Sequence, residues 1–181
     1  MKHSPKVIEK FGCLTELLQE IPDISVTASP QTLSGQISVR HHSPLLSTQY
    51  FFCCCNRFWS KNYDLLYRCK FPSASLLSSE IVLDKNNQFS SAQYEDSSLL
   101  HLLNTNLLLT DILKAVDLRQ LNVKISPEEI TLELSPMVGS IVQLLLPPLT
   151  YFIKPTQQEL VAIFQILQLV LATLRQAGFT A

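Results

Sequence analysis

The sequence PTQQELVAIFQILQLVLATLRQAG, residues 155–178, predicts one long helix with both of its ends marked. Thr156 and Glu159 have the spacing of a capping box, in which each side chain bonds a backbone N–H group that the first turn leaves unpaired. Gly178 suits the left-handed residue that follows many helices, and Arg175 places positive charge near the carboxyl end of the helix dipole. The helix is therefore expected to begin and end within this stretch.

One broad face of the predicted helix is apolar, and the opposite face is rich in glutamine. At 100° per residue, the apolar face collects Leu160, Ile163, Phe164, Ile166, Leu167, Val170, Leu171 and Leu174. An apolar face of this width needs a large partner, which is most simply a β-sheet. Val161 and Leu169 lie on the glutamine side, so we select them as candidate contacts for a second subunit or a partner helix.

The rest of the chain has the patterns of shorter helices and of antiparallel strands. Helical spacing predicts a short N-terminal helix at residues 4–21 and a mid-chain pair of helices at about 96–103 and 106–116. Short apolar or alternating runs predict strands at residues 24–28, 33–41, 48–58, 64–71, 80–84, 89–94, 120–126, 129–134 and 139–146. The predicted fold class is therefore α+β, with antiparallel sheet packed against the long amphipathic C-terminal helix.

Length and composition indicate a single globular domain over residues 1–181, with a division into 1–94 and 95–181 left open. Hydrophobic residues make up 46% of the chain, which is typical of a globular protein. Charged residues make up only 16%, below the usual share of about 25%, and the weak self-repulsion that results favours association. The net charge of −1 provides no field that would attract nucleic acid.

Two further patterns bear on the location of the protein. The stretch MKHSPKVIEK has no apolar segment of the kind that a signal peptide requires. The apolar part of the long helix, residues 160–174, would span ~22 Å, less than the ~30 Å hydrocarbon core of a bilayer. We therefore expect a cytoplasmic protein without a membrane span, and the odd number of cysteines, five, agrees with reduced thiols.

The run CCC at residues 53–55 is interpreted as part of a buried strand. Alternate residues of a strand point to opposite faces, so the three thiols would spread apart instead of meeting at one metal ion. In the expected register, His41 and His42 lie on the neighbouring strand, with His41 ~13 Å from Cys53. His101 is then the remaining partner for a Cys–His nucleophile, and we interpret the cysteines as core residues.

Trp59 is the residue best suited to surface contact, because it lies between Arg57 and Lys61 in a predicted turn. Interleaved aromatic and basic residues also occur in single-strand binders, but there is neither an RNP-type pattern nor a basic net charge. The motifs of zinc proteases, serine hydrolases, Walker loops and dinucleotide sites are absent from the sequence. The sequence therefore assigns no catalytic residue, no metal ligand and no cofactor.

Three functions remain, and the first is a non-enzymatic interaction or accessory protein that binds a protein partner or a second copy of itself. It follows from the missing catalytic patterns and the low surface charge. The alternative is a small-molecule or lipid-binding protein whose cavity, between the sheet and the terminal helix, is lined by Phe51, Phe52, Ile163 and Phe164. The third is a cysteine-dependent enzyme.

Overall fold

A computed structural model describes residues 3–39, 47–76, 78–91 and 97–180, with the side chains of all of these except Val39 and Ser97. The helices are α1 (Pro5–Gln19), α2 (Ser97–Thr105), α3 (Leu107–Ala115) and α4 (Gln157–Gln176). The strands are β1 (Ile24–Ser29), β2 (Ser34–Val39), β3 (Ser47–Asn56), β4 (Ser60–Pro72), β5 (Ser79–Leu83), β6 (Phe89–Ser91), β7 (Leu118–Ile125), β8 (Glu129–Pro136), β9 (Ile141–Leu144) and β10 (Thr150–Phe152). The α+β class is confirmed, as are the N-terminal helix, the mid-chain pair and the long C-terminal helix.

The strands belong to one antiparallel sheet in the order β1-β2-β3-β4-β8-β7-β5-β6, while β9 pairs with β4 and β10 pairs with β9. The chain divides into two compact units. Unit 1 contains Met1–Tyr67 and Ser135–Leu160, and unit 2 contains Arg68–Leu134 and Val161–Ala181. The single domain expected from the sequence, with its open division after residue 94, stays a prediction.

In unit 1, helix α1 packs against the first strands through its apolar face. The buried positions of that face are Val7, Phe11, Leu14 and Leu18. The Phe11 ring stacks on Tyr50 of β3 with 5.6 Å between centroids, and it meets the Phe52 ring edge-on at 5.8 Å. Tyr50 also shares a hydrogen bond with Thr15 of α1, with 3.1 Å between the two hydroxyl oxygens. These contacts hold the Tyr50 side chain in one place beneath the helix.

The position of Tyr50 decides which residue can stand opposite it on β2. Its partner across the ladder is Gly35. The Tyr50 ring and the Thr27 carbonyl oxygen fill the space in which a Cβ atom of residue 35 would lie. Because the three strands meet so closely, only glycine fits here, and the aromatic ring covers the surface that glycine leaves without a side chain.

In unit 2, two adjacent strands alternate as the sequence predicts. The alternating apolar positions of β7 and β8 are buried, and Asn122, Ser135 and Pro136 are buried as well; the apolar positions are Leu121, Val123, Ile125, Ile130, Leu132 and Leu134. Strand β8 also carries Glu129 and Glu133, which form ion pairs with β4. Arg68 pairs with Glu133 at 2.7 Å, and Lys70 pairs with Glu129 at 2.6 Å. The second pair is half exposed, where water and salt weaken the attraction between the charges, so the apolar rows are the main source of stability.

Helix α4 has the ends that its sequence predicts. Glu159 N–H donates to Thr156 Oγ1 at 3.2 Å, and Thr156 N–H donates to Glu159 Oε2 at 2.8 Å, which completes the capping box. At the other end, Gly178 has a φ of 80°, and Phe179 N–H donates to the Leu174 carbonyl at 3.0 Å. The predicted apolar face is buried at every position: Leu160, Ile163, Phe164, Ile166, Leu167, Val170, Leu171 and Leu174.

Among the described residues, α4 is the helix that is long and apolar enough to cross a membrane by length and composition. Core helices have the same two properties, and half of its apolar window is buried inside the protein. Length and composition of this one helix are therefore weak evidence for a membrane span.

The observed elements differ from the sequence prediction at a few places. Strand β4 begins at Ser60, so the turn predicted at 59–62 is shorter than expected. No strand is predicted between residue 146 and the terminal helix, but β10 lies there, because pairing with β9 stabilises a strand that is only three residues long. Helical spacing places Leu108 on the same face of α3 as Leu109 and Leu113, but Leu108 is 59% exposed, because this nine-residue helix buries only a narrow stripe. Residues 92–96, which include the ends of a predicted strand and helix, lie outside the described residues.

Candidate functional site

The first part of the candidate site is the turn between β3 and β4 in unit 1. Arg57 and Ser60 exchange backbone hydrogen bonds of 2.7 and 3.3 Å, which leaves Phe58 and Trp59 as a two-residue hairpin loop. Both loop residues are large and aromatic, although such loops usually carry glycine, asparagine or aspartate. The choice of residues at this turn is therefore not explained by turn geometry.

A second turn, between β9 and β10, lies directly beside the first. It is closed by Leu144 N–H, which donates to the Leu149 carbonyl at 2.8 Å. Strand β9 pairs with β4, with Leu144 opposite Ser60. Next along the chain, Leu145 N–H donates to the Trp59 carbonyl at 2.9 Å, so the two turns are joined by a backbone hydrogen bond.

The two turns together expose a cluster of large apolar side chains, which we name the tip patch. Its members are Phe58, Trp59, Leu145, Leu146 and Leu149. Phe58 is 84% exposed and Leu146 is 70% exposed, and the Phe58 and Trp59 rings meet edge-on at 4.6 Å. Single exposed apolar residues are ordinary, but a contiguous group of them marks an interaction surface or an aggregation hazard.

The backbone around the tip patch is well fixed by local bonds. Pro147 and Pro148 cannot donate to a ladder, so β9 ends before them and the chain turns. Within this turn Leu149 N–H donates to the Pro147 carbonyl at 2.8 Å. At the base of the same hairpin, Ile153 N–H donates to the Ser140 carbonyl at 3.0 Å. The apolar side chains thus lie on two turns whose backbone is fixed by hydrogen bonds.

The charged residues within the two segments that carry the tip patch are both positive. Segments 53–61 and 141–153 contain two charged residues, Arg57 and Lys61, and no aspartate or glutamate. The apolar side chains are therefore flanked by basic groups, and the patch as a whole suits a partner with a negative rim.

The cysteine run beside the tip patch corrects one sequence interpretation. Cys53, Cys54 and Cys55 are all exposed, so the prediction that they belong to the core is wrong. Strand β3 is buried only near Thr48 and Tyr50, where it lies beneath α1, and every residue from 53 to 59 is exposed. The apolar run is therefore longer than the part of the strand that the helix covers.

The other residues considered for thiol chemistry are Cys69 and the histidines His41, His42 and His101. Cys69 of β4 is buried, as a core cysteine should be. Cys54 lies next to Tyr63, and burial, followed by this thiol, raises the pKa of Tyr63. His41 and His42 lie outside the described residues, and His101 is exposed on α2 in unit 2. No group of three or more His, Cys, Asp or Glu side chains within the described ranges could hold a metal ion.

The other residues selected from the sequence do not join the tip patch. Val161 and Leu169 are half-buried on α4, and their role as contacts stays a prediction. The cavity proposed from Phe51, Phe52, Ile163 and Phe164 also stays a prediction: the first two are half-buried in unit 1 and the last two are buried in unit 2. A shallow pocket of about 410 Å³ in unit 1 is lined by Tyr50 and Phe51, and otherwise by polar and small residues of β1, β2 and β3.

Sequence reasoning found Trp59 but missed the rest of the tip patch. Phe58 was assigned to the end of a strand, and the run Leu144-Leu145-Leu146 was interpreted as a strand that continues to residue 146. The available signal was the pair of prolines after the leucines, which ends the strand early and turns the leucines outward. The proximity of the two turns has no signal in the sequence, because it depends on the pairing of β4 with β9.

Comparison with known proteins gives one family. The model of a family described as "Protein of unknown function (DUF3156)" matches residues 31–174, a range that includes both turns of the tip patch. No curated protein and no solved structure matches the chain.

Proposed function

We propose that this chain, which belongs to the DUF3156 family, is a non-enzymatic interaction protein that binds a partner protein through the tip patch. The observation that carries this proposal is the exposure of aromatic and leucine side chains on two turns that a backbone hydrogen bond joins. The cytoplasmic location expected from the sequence stays a prediction.

The energetics support a binding role for these side chains. A buried aromatic side chain removes about 150–250 Å² from water, at about 25 cal/mol per Å² of apolar surface. Phe58 and Trp59 leave 84% and 58% of their surface in water, so most of that free energy is not realised in the chain alone. Tryptophan is also one of the residue types enriched among the interface residues that dominate affinity. Since the turns are pinned, little entropy is lost when a partner docks.

The charges indicate what kind of protein would bind. Arg57 and Lys61 favour a partner with an apolar centre and acidic residues around it. A second copy of the chain is a poorer occupant of this patch, because its contact would bring two basic rims together. The proposed partner is therefore a different protein.

The test compares two variants, each of which truncates two exposed apolar side chains to alanine. The first is Phe58→Ala with Trp59→Ala in the tip patch. The matched control is Leu107→Ala with Leu108→Ala, since these α3 residues are 79% and 59% exposed in unit 2. Each protein is used to capture partners from a lysate of source cells, and the captured partner is then purified and its Kd measured by calorimetry.

The expected result is one partner that wild type and control bind equally and that the tip variant binds at least about 30-fold more weakly, which corresponds to ~2 kcal/mol. Arg57→Glu should weaken the same complex and reduce its dependence on salt. Equal binding by the tip variant, or no protein that distinguishes the two variants, would overturn the proposal. Vesicles with 30% anionic lipid are tested in parallel, and tip-dependent binding to vesicles alone would assign the patch to a membrane surface instead.

A further inference from the structure

Among the described residues, the sheet ends at strands β1, β6 and β10, and β6 and β10 each have a protected edge. Strand β6 is three residues long, and the Asn104 side chain of α2 occupies its outer edge. Phe89 N–H donates to Asn104 Oδ1 at 2.7 Å, and Asn104 Nδ2 donates to the Phe89 carbonyl at 3.0 Å. One amide side chain therefore satisfies the backbone groups that another strand would use.

Strand β10 is protected by length and by proline. It is also three residues long, with Pro148 shortly before it and Pro155 shortly after it. Because proline cannot donate a ladder hydrogen bond, an added strand would find only a brief run of groups to pair with. Short length and flanking proline are two of the devices by which proteins prevent edge-to-edge pairing.

Strand β1 is flanked by Pro22 and Pro30, as β10 is flanked by prolines, but it is twice as long as β6 or β10. It is six residues long and pairs one-to-one with β2 from Ile24↔Val39 to Ser29↔Ser34, without a bulge. Its sequence, ISVTAS, contains no charge, no proline and no glycine. Within the described part of the chain, no strand pairs with β1 on the side away from β2.

The side chains of β1 are suited to pairing with an identical strand. Ile24, Val26 and Ala28 share one face, and Ser25, Thr27 and Ser29 share the other. A two-fold axis perpendicular to the sheet pairs two copies antiparallel and keeps each face on its own side, so the apolar row meets the apolar row. No charges oppose each other in such a contact, and Ile24 and Val26, now half-buried, would lose further contact with water.

From these differences between the edges we propose that two copies of this chain form a dimer. The β1 strands of the two copies pair antiparallel about a two-fold axis, so that the two sheets become one. The proposal goes beyond the tip patch and does not depend on it. The occupant is a second copy because this strand is uncharged and self-complementary, so antiparallel pairing needs no other sequence. The low content of charged residues, 16%, adds little repulsion between two copies.

The test is the mass of the full chain by sedimentation equilibrium between 1 and about 200 μM, a range that brackets weak and moderate dimers. The expected result is a species of twice 20.4 kDa that forms reversibly with concentration. Thr27→Lys places a charge on the open edge and should raise the dimer Kd at least about tenfold. Ser90→Lys is the control, because it places the same charge on an exposed position of β6, where the edge is already occupied.

The outcomes separate this proposal from the tip patch. The tip variant Phe58→Ala with Trp59→Ala should remain dimeric, and Ala28→Pro, which removes one backbone donor of β1, should not. Far-UV circular dichroism of each variant checks that the fold is kept. A chain that is monomeric at every concentration overturns the inference, as does a dimer that tolerates both Thr27→Lys and Ala28→Pro. A monomer whose Thr27→Lys variant loses a different captured protein would show that β1 receives another strand.

Discussion

Replacing Gly35 by alanine is expected to destabilise the protein by about 2–4 kcal/mol. The added Cβ atom would overlap the Thr27 carbonyl oxygen and the Tyr50 ring, which stands opposite on β3. Either the pairing of β1 with β2 must open or the ring must move. The ring has no free space, because Tyr50 is fully buried beneath the Phe11 ring.

The magnitude follows from the two ways in which the overlap can be relieved. Inserting a methyl group into a packed site costs about 1–3 kcal/mol through displaced side chains and backbone. Displacing Tyr50 also breaks its hydrogen bond with Thr15, which contributes about 1 kcal/mol more. With a urea m-value of ~2 kcal/mol per M, the unfolding midpoint should fall by about 1–2 M.

A second glycine provides a control with the opposite sign. Gly12 lies in the interior of α1, and a Cβ atom at this position would meet nothing within 4 Å. Because glycine in a helix is less favourable than alanine, Gly12→Ala should stabilise the protein by about 0.5–1 kcal/mol. The midpoint should rise by about 0.3–0.5 M, measured by far-UV circular dichroism in the same urea series.

The comparison of the two substitutions tests whether the Tyr50 ring lies over Gly35. If Gly35→Ala unfolds within about 0.2 M of wild type, the Tyr50 ring does not lie over residue 35 and the described packing of α1 on β3 is incorrect. If both variants are destabilised alike, the cost arises from alanine substitution in general and not from the space that Tyr50 fills.

The remaining predictions concern the cysteines, the β6 edge and a buried tyrosine. Native protein treated with iodoacetamide should be alkylated rapidly at residues 53–55 and at Cys69 only after unfolding, as mapped by peptide mass spectrometry; rapid native labelling of Cys69 would contradict its burial. Asn104→Ala should cost about 1–3 kcal/mol in urea unfolding, because both backbone groups of Phe89 lose their partner. Burial, with a smaller contribution from the neighbouring Tyr50, raises the pKa of Tyr67 above its ordinary value near 10. The stability that the neutral Tyr67 side chain contributes is therefore fully present below pH 10 and is lost as the pH rises above it. Tyr67→Phe should therefore lose less of its urea midpoint between pH 9 and pH 11 than wild type does, and an equal loss would assign the alkaline effect to other groups.

The parts of the fold that the sequence could predict are those fixed by local patterns. The capping box of Thr156 and Glu159, the left-handed Gly178 and the apolar stripe of α4 each depend on neighbours within a few turns of one helix. The alternation of apolar residues in β7 and β8 is equally local, and every apolar residue of the pattern from Leu121 to Leu134 is buried. The burial of Asn122 and Ser135 on the other face does not follow from this periodicity.

The site could not be predicted because its parts meet only through strand pairing. The turn at Phe58 and the turn at Leu146 are far apart in sequence, and they become neighbours because β9 pairs with the first residues of β4. The misread cysteines have a related cause. An apolar strand such as β3 has the same pattern whether α1 covers all of it or only its first half, and the extent of that cover is a property of the tertiary structure.

The division of the chain into units has a consequence for biosynthesis. Unit 1 needs residues 135–160 in addition to its first 67, and unit 2 needs residues 161–181. A ribosome that adds about 5–20 residues per second therefore takes roughly 5–20 s to go from residue 67 to residue 160, where unit 1 becomes complete. During this interval strands β1 to β4 have been synthesised, but the strands within residues 135–160 have not. This chain is therefore expected to depend on chaperones that shield unpaired strand edges.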